Sequence, residues 1–377
     1  MTRNKQAKIY ERQKLLLSLT ETVLSVILLI VIIFGGFSMD IRNWSTAYAE
    51  NPYLQLLLFS AALGLIFTAL SLPFSFVSGF WLEHRYQLSN QTLPAWIWEK
   101  IKGMLVGIVL VLPVLLIFYY FLLNFPNTWW LWTATALFIF SVLIGRIAPT
   151  LIFPLFYKFE RLDDEPLKKR MENLARLGKF QLEGLYRFNM SKTTRKANAA
   201  FAGLGKSRRI ILGDTLIEKF TPDEIEAVFA HEVGHYVHKH LWKGVAVGTF
   251  SSYASLFIAF TLYNYWVAQM NFSGPADLAA LPLLSLILTV LGLIISPLNN
   301  IQSRHHERQA DRYALTHSSN PVAFLSALKK LADTNLTDES PHPLIEYLFH
   351  SHPSISRRLQ FAERLGVTLA VEPAVAG

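Results

Sequence analysis

KLLLSLTETVLSVILLIVIIFGGF, residues 14–37, decides the architecture: after its lysine it carries a single charge, Glu21. A run of that length and apolarity can cross a bilayer as a helix. It follows a basic N-terminus, as a secretory signal would, but it is too long for a signal core and no small-residue cleavage site follows. It reads as a retained anchor. Comparable runs lie at about 54–80, 103–124, 129–156, 244–270 and 281–301, the fourth being the least regular because it contains Arg146 and two prolines. With a positive mean hydropathy, the 377 residues read as a mainly α, polytopic helical membrane protein of about six spans.

The net charge of +8 follows the topology. Arg3, Lys5, Lys8, Arg12 and Lys14 precede the first span, and alternate crossings place 38–53, 125–128 and 271–280 on the far side, where Arg42 is the only Lys or Arg. Cations concentrated on one side mark the cytoplasmic face, so the charge does not call for a nucleic-acid partner. Both termini and the polar segments 157–243 and 302–377 fall in the cytoplasm. They alternate with a four-span region, 1–156, and a two-span region, 244–301. The chain has no cysteine, which excludes disulfides, zinc–thiolate sites and a cysteine nucleophile.

The first polar segment reads as a surface helix from about Asp163 to Lys179. Strand-like pieces follow at 182–190, 197–203 and 208–214, with Gly203, Gly205 and Lys206 at the turn between the last two. Next comes TPDEIEAVFAHEVGHYVHKH, residues 221–240. Thr221 is a good N-cap, Pro222 suits the first helical position and Glu224 completes a capping box. His231 and His235 therefore share one helix face and can offer two imidazole nitrogens to a metal, with Glu232 beside them to hold the activated water. From the chain's own His and Glu content, about one or two such chains in a hundred would hold this pattern by accident. The capped helix, the preceding strands and Gly234, which permits close approach of another element, argue against two solvated histidines.

A catalytic zinc needs a third protein ligand, here a His, Glu or Asp. SRHHERQAD, residues 303–311, lies on a helix that continues from the last span to Leu315 and offers Glu307, with His305 and His306 as rivals. Asp311, one turn beyond Glu307, can orient a ligating histidine through its ring N–H. Arg304, one turn before, can balance the acidic pair. His238 and His240, among Lys239 and Lys243, read as an interfacial basic cluster rather than a second metal site. A helix from Pro321 to about Leu331, a polar break and a last helical stretch carrying HSHPSISRRLQFAERL, residues 350–365, end the chain.

HEVGH at 231–235 is accompanied, in order, by EHRYQLSNQTL (83–93), IAPTLIFPLFYKFERL (147–162), SKTTRKANAAFAGLGKSRRIILGDTLIE (191–218), SRHHERQAD (303–311) and HSHPSISRRL (350–359). On these motifs, which cover most of its length, the chain resembles the CAAX prenyl endopeptidases, integral-membrane zinc metalloproteases. The block from Ser191 to Glu218 is far more specific than the His-Glu motif. The resemblance implies a small α+β zinc-metallopeptidase domain at the cytoplasmic face, with one zinc ion held by His231, His235 and Glu307 and with Glu232 as catalytic base. It implies that Asn198 and Ala199 belong to a strand lining the substrate, and that His352 and Arg358 stabilise the reacting carbonyl or the substrate's C-terminal end. It also implies a peptide or protein substrate, prenylated in the family, and a chamber enclosed by the spans. ANAAFAG would then be an edge strand that a peptide extends, while Asn, His and Arg donors suit a developing oxyanion.

The chain departs from eukaryotic members in having six spans rather than seven, no acidic insertion before the His-Glu helix, His306 and Arg308 where aromatics often flank the glutamate, and no endoplasmic-reticulum retrieval signal. These departures fit a compact bacterial member of an inner membrane. Two other functions share the motifs: a quality-control protease for membrane proteins without prenyl selectivity, and a non-enzymatic membrane protein whose structural zinc is closed by a fourth ligand.

Overall fold

The computed structural model describes residues 3–202 and 207–369. The turn expected at Gly203, Gly205 and Lys206 lies outside them. Apolar runs fold as helices because hydrocarbon offers no partner to a backbone N–H or C=O. The N-terminal part comprises α1 (Arg3–Phe34), α2 (Phe37–Tyr48), α3 (Pro52–Phe76), which continues through a π turn into α4 (Leu82–Arg85), then α5 (Leu93–Asn124) and α6 (Trp129–Ile147). The first helix begins at Arg3, well before the apolar run, because nothing between Arg3 and Lys14 interrupts it. The far-side segment 38–53 is largely helical too, entered through Gly36 at a left-handed φ of 81°.

The polar segment that follows builds a four-stranded sheet in the order β1-β2-β4-β3 from β1 (Phe159–Arg161), β2 (Gln181–Phe188), β3 (Ala199–Ala202) and β4 (Ser207–Gly213). The β2–β4 pair is parallel and the other two are antiparallel. β1 is a fourth strand that the sequence did not announce, since three residues cannot show an alternation. α7 (Glu165–Leu177) lays Leu167, Met171 and Leu174 into a core shared with Leu185 and Ile210 of the sheet. α8 (Asp214–Lys219) leads to α9 (Pro222–Val237), whose capping box forms as expected: the Glu224 N–H donates to Thr221 Oγ1 at 3.3 Å and the Thr221 N–H to Glu224 Oε2 at 2.8 Å. Beyond it run α10 (His240–Gln269), α11 (Leu281–His317), α12 (Pro321–Asn335), α13 (Pro343–Phe349) and α14 (Ile355–Arg364).

Six of these rods are long and apolar enough to cross a membrane. They pack at their two ends, around Leu56, Phe59, Trp129 and Tyr263 on the far side and around Tyr10, Leu82, Leu88 and Leu336 beside the sheet. Between the ends, side chains such as Leu65, Val109, Ile139 and Phe250 are exposed. Arg42, the lone far-side Lys or Arg, is matched: its Nη1 lies 2.9 Å from the buried Asp277 Oδ2 in the far-side connection 271–280. α11 runs unbroken from its apolar half through Glu307, across the division expected at 301/302, with Pro297 in its interior.

α9 and α11 cross where Gly234 meets Ala310, and a Cβ on Gly234 would come within 2.8 Å of Ala310 Cα and 2.9 Å of Tyr313 Cβ. These are backbone and near-backbone atoms that cannot swing away. Gly234→Ala should therefore force the helices apart at an overpacking cost of about 1–3 kcal/mol. Thermal melting of the detergent-purified protein checks this, and an unchanged melting temperature would show that the crossing has slack.

Candidate functional site

The capped α9 carries His231 and His235 one turn apart, and the crossing at Gly234 brings Glu307 of α11 against them. The two Nε2 atoms are 3.1 Å apart, Glu307 Oε2 is 3.3 Å from that of His231, and Oε1 is 3.2 Å from that of His235. Neighbouring ligands on a tetrahedral zinc with bonds of about 2.0–2.1 Å are separated by about 3.3 Å. Glu307 Oε2 is also buried without a hydrogen bond, and two imidazole nitrogens at this distance need a proton or a metal ion between them. The three residues thus fit a metal ion and form a cluster with ligand atoms within 4.8 Å of one another. His305 and His306 are turned elsewhere, His305 to Gln309 and His306 onto the ring of His240.

Asp311 stands behind His231, its Oδ1 2.9 Å from Nδ1. Burial opposes charging of His231, but the Asp311 and Glu307 carboxylates outweigh it and hold the imidazole up at about 9. Arg358 of α14 grips Asp311 with two N–H groups, the Nε–Oδ2 bond measuring 2.9 Å. Burial works against the guanidinium charge, and Asp311 more than restores it. His352 Nε2 lies 3.4 Å from Glu307 Oε1, and Ser351 Oγ is 2.9 Å from Nδ1. With the serine donating to Nδ1, the Nε2–H faces the metal-binding cluster. The ring keeps 62% of its surface open to a cavity, and the partial burial that remains pushes its pKa below the usual histidine range.

Glu232 forms part of the wall of two cavities. One, of about 580 Å³, is lined by Asn198, Ala199, His352 and Arg358, and the other, of about 560 Å³, by His235, Lys179 and Trp242. β3 is the edge strand of the sheet, and Asn198 at its start is held by a 2.9 Å bond from the Gly213 N–H to its carbonyl. A Cβ on Gly213 would lie 2.9 Å from that carbonyl oxygen. So the structure brings His231, Glu232, His235, Glu307, Asp311, His352, Arg358, Asn198 and Ala199 into one region.

Two sequence readings are corrected. Arg304 does not balance Glu307 and Asp311. It donates to the carbonyls of Glu346, Tyr347 and His350 at 3.0, 3.2 and 2.6 Å, at the C-terminal end of α13. Arg358 takes the balancing role. His240, expected in an interfacial basic cluster, is instead buried and bonded to His235 and Gln309.

The sequence also hid the bracing of β3. Asn335 accepts from the Ala197 N–H at 2.8 Å and donates to its carbonyl at 3.2 Å. The Arg195 N–H donates to the Leu88 carbonyl at 2.9 Å, and Lys196 reaches Glu83 at 2.9 Å and Tyr10 at 3.0 Å. The blocks at 83–93 and 191–218 therefore meet in space, which no local signal reveals.

Comparison with known proteins shows the family and the fold. Residues 161–365 match the description of Peptidase family M48. Residues 2–158, which hold four of the long apolar helices, match that of the CAAX prenyl protease N-terminal region, five membrane helices. The chain is 32% identical to the uncharacterized metalloprotease YhfN of Bacillus subtilis, over 89% of this chain and 80% of that one. It is 31% identical to CAAX prenyl protease 1 of Saccharomyces cerevisiae, over 81% and 71% respectively. The crystal structure of S. mikatae Ste24p superposes with a TM-score of 0.86 at 27% identity, covering 96% of this chain and 89% of that one.

A metal ligand must be unprotonated at its donor atom. With His231 held at about 9 in the metal-free protein, metal and proton compete for it across the neutral range. Each pH unit below 9 should lower apparent metal affinity roughly tenfold, and uptake near pH 7 should release about one proton. Calorimetric titration in buffers of different ionisation enthalpy measures that proton; none released would mean that His231 is already neutral.

Proposed function

This chain belongs to peptidase family M48, in its CAAX prenyl protease branch, and on that premise we propose that it is a zinc endopeptidase acting on the C-terminal end of prenylated peptides at the cytoplasmic face of a membrane. It is a multi-pass membrane metalloprotease with peptide or protein substrates. The observation that carries the peptidase reading is Glu232, next in the chain to His231 and in the wall of both cavities, with the nitrogen and carboxylate atoms of His231, His235 and Glu307 3.1–3.3 Å from one another.

His231, His235 and Glu307 hold the metal. A bound zinc ion would polarise the scissile carbonyl and bring the pKa of its water toward neutrality. Glu232 accepts the water's proton and passes it to the leaving amine. The His352 Nε2–H and the Asn198 amide donate to the carbonyl oxygen as it gains charge. Arg358 fixes Asp311, which in turn fixes His231, and its charge favours the same build-up. The substrate pairs with the free edge of β3, beginning at Asn198 and Ala199.

The spans within 1–156 and 244–301 accommodate the lipid-bearing part of the substrate, while 157–243 and 302–377 supply the chemistry. The bias of cations toward one side supports a cytoplasmic site and termini and accounts for the net charge without nucleic acid. The likeness to a Bacillus subtilis relative favours a bacterial inner membrane over the endoplasmic reticulum.

Wild type beside Glu232→Gln, assayed on a farnesylated CAAX peptide and its unprenylated twin, tests the reading. Zinc-dependent release of the last three residues from the farnesylated peptide alone is expected, with Glu232→Gln keeping its metal and losing about 10²–10⁴-fold in kcat. Equal cleavage of both peptides would turn the assignment to membrane-protein quality control, and no cleavage of either counts against a prenyl peptidase. Glu307→Ala should lose the metal by elemental analysis; full occupancy would remove Glu307 from the ligand set.

A further inference from the structure

The side chain behind His235 has no role in the reaction as derived so far. His231 is oriented by a carboxylate, which only accepts: Asp311 Oδ1 lies 2.9 Å from its Nδ1, so Nδ1 is the nitrogen that keeps a proton and Nε2 the one turned to the metal. His235 has no carboxylate there. Its Nδ1 lies 2.9 Å from Nδ1 of His240, the first residue of α10, and the far side of that ring, Nε2, lies 2.8 Å from Gln309 Oε1 on α11. The amide's other end, Nε2, lies 3.1 Å from His305 Nε2. His240 is buried and stacked face to face on His306, with centroids 4.1 Å apart and planes 8° from parallel, so its ring cannot rotate without breaking that stack.

We propose that His240 and Gln309 are positioning residues that fix the tautomer and ring angle of His235 so that its Nε2 lone pair faces His231 and Glu307. The geometry gives the relay a direction. The Gln309 carbonyl accepts, so His240 carries its proton on Nε2. His240 Nδ1 is then a lone pair, so His235 must donate from its own Nδ1. That leaves His235 Nε2 free of a proton, on the side where the other two ligand atoms lie 3.1 and 3.2 Å away. Run backwards, with the amide nitrogen toward His240, the same bonds would place a proton on His235 Nε2 and exclude a metal. Gln309, the one member with a pure acceptor at one end and a pure donor at the other, sets which way the chain runs. The relay spans two membrane helices, since His240 opens α10 and Gln309 lies on α11, and it closes only when those helices are packed together.

This inference rests on the reading that His235 holds the metal, and the test separates the two. The dissociation constant of zinc is measured on full-length, detergent-purified protein by competition with a chelator of known affinity, for wild type, His235→Ala, His240→Phe, Gln309→Leu and Gln309→Glu. His240→Phe keeps a flat ring against His306 and removes the hydrogen bonds. It should weaken zinc binding roughly tenfold to a hundredfold, and Gln309→Leu should weaken it in the same direction. Gln309→Glu supplies an acceptor-only group and should bind zinc as tightly as wild type or tighter, a rescue that a merely structural role would not produce. Wild-type affinity in both His240→Phe and Gln309→Leu, with affinity lost in His235→Ala, overturns the relay. Equal weakening by Gln309→Glu and Gln309→Leu overturns it as well, and the half-buried Gln309 pair decides the matter should His240→Phe fail to fold. Retained affinity in His235→Ala would instead overturn the ligand assignment.

Discussion

Everything in this molecule is arranged around the contact of α9 with α11 at Gly234 and Ala310. A metal bound by two residues of one helix and one of another is only as well defined as the distance between the two axes. Here that distance is set by backbone against backbone, which is stiffer than any side-chain packing. The rest of the fold serves the crossing from both ends. The sheet and α7 hold α9 in place through a common core of apolar side chains, and α11 is fixed at its other end by the far-side cluster around Trp129 and Tyr263.

So close an approach buries charge, and the neighbouring elements neutralise it. Glu307 and Asp311 are almost fully enclosed and would repel each other one turn apart on the same helix. Arg358, arriving from α14, offsets Asp311 with two N–H groups, while Glu307 faces His231, His235 and His352. Buried ions gain net stability only with complete partners, so in the metal-free protein histidine protons take the place of the metal beside Glu307. The substrate strand is treated in the same way. β3 is left open along its edge, and its root is over-determined by Asn335, Lys196 and the loop at 88–90.

What the sequence disclosed and what it hid divide by range. The spans, the capping box at Thr221 and Glu224, the shared face of His231 and His235, and the need for glycine at 234 all rest on spacings of a few residues, and they were legible. The placement of Asp311 behind a histidine followed from its position one turn past Glu307. Arg304 looked like the counter-ion because it shares that face, but the actual counter-ion is Arg358, 47 residues further on. His240 read as part of an interfacial basic cluster because lysines flank it in the sequence, whereas its neighbours in space are His235, His306 and Gln309. The bracing of β3 by α1, α4 and α12 depends on contacts more than a hundred residues apart, which no window of sequence contains.

Pro297 gives α11 a mechanical property. It lies between the apolar half of the helix and Glu307 and has no N–H to donate to the Leu293 carbonyl, so one rung of the helical ladder is missing at that level. Membrane helices tilt to match the thickness of the lipid around them. In an unbroken rod that tilt would act as a lever and carry Glu307 off its partners. With that rung missing, the helix bends more easily at Pro297 than elsewhere along its length, so a tilt of the lipid-facing half is taken up there before it reaches the half packed on α9.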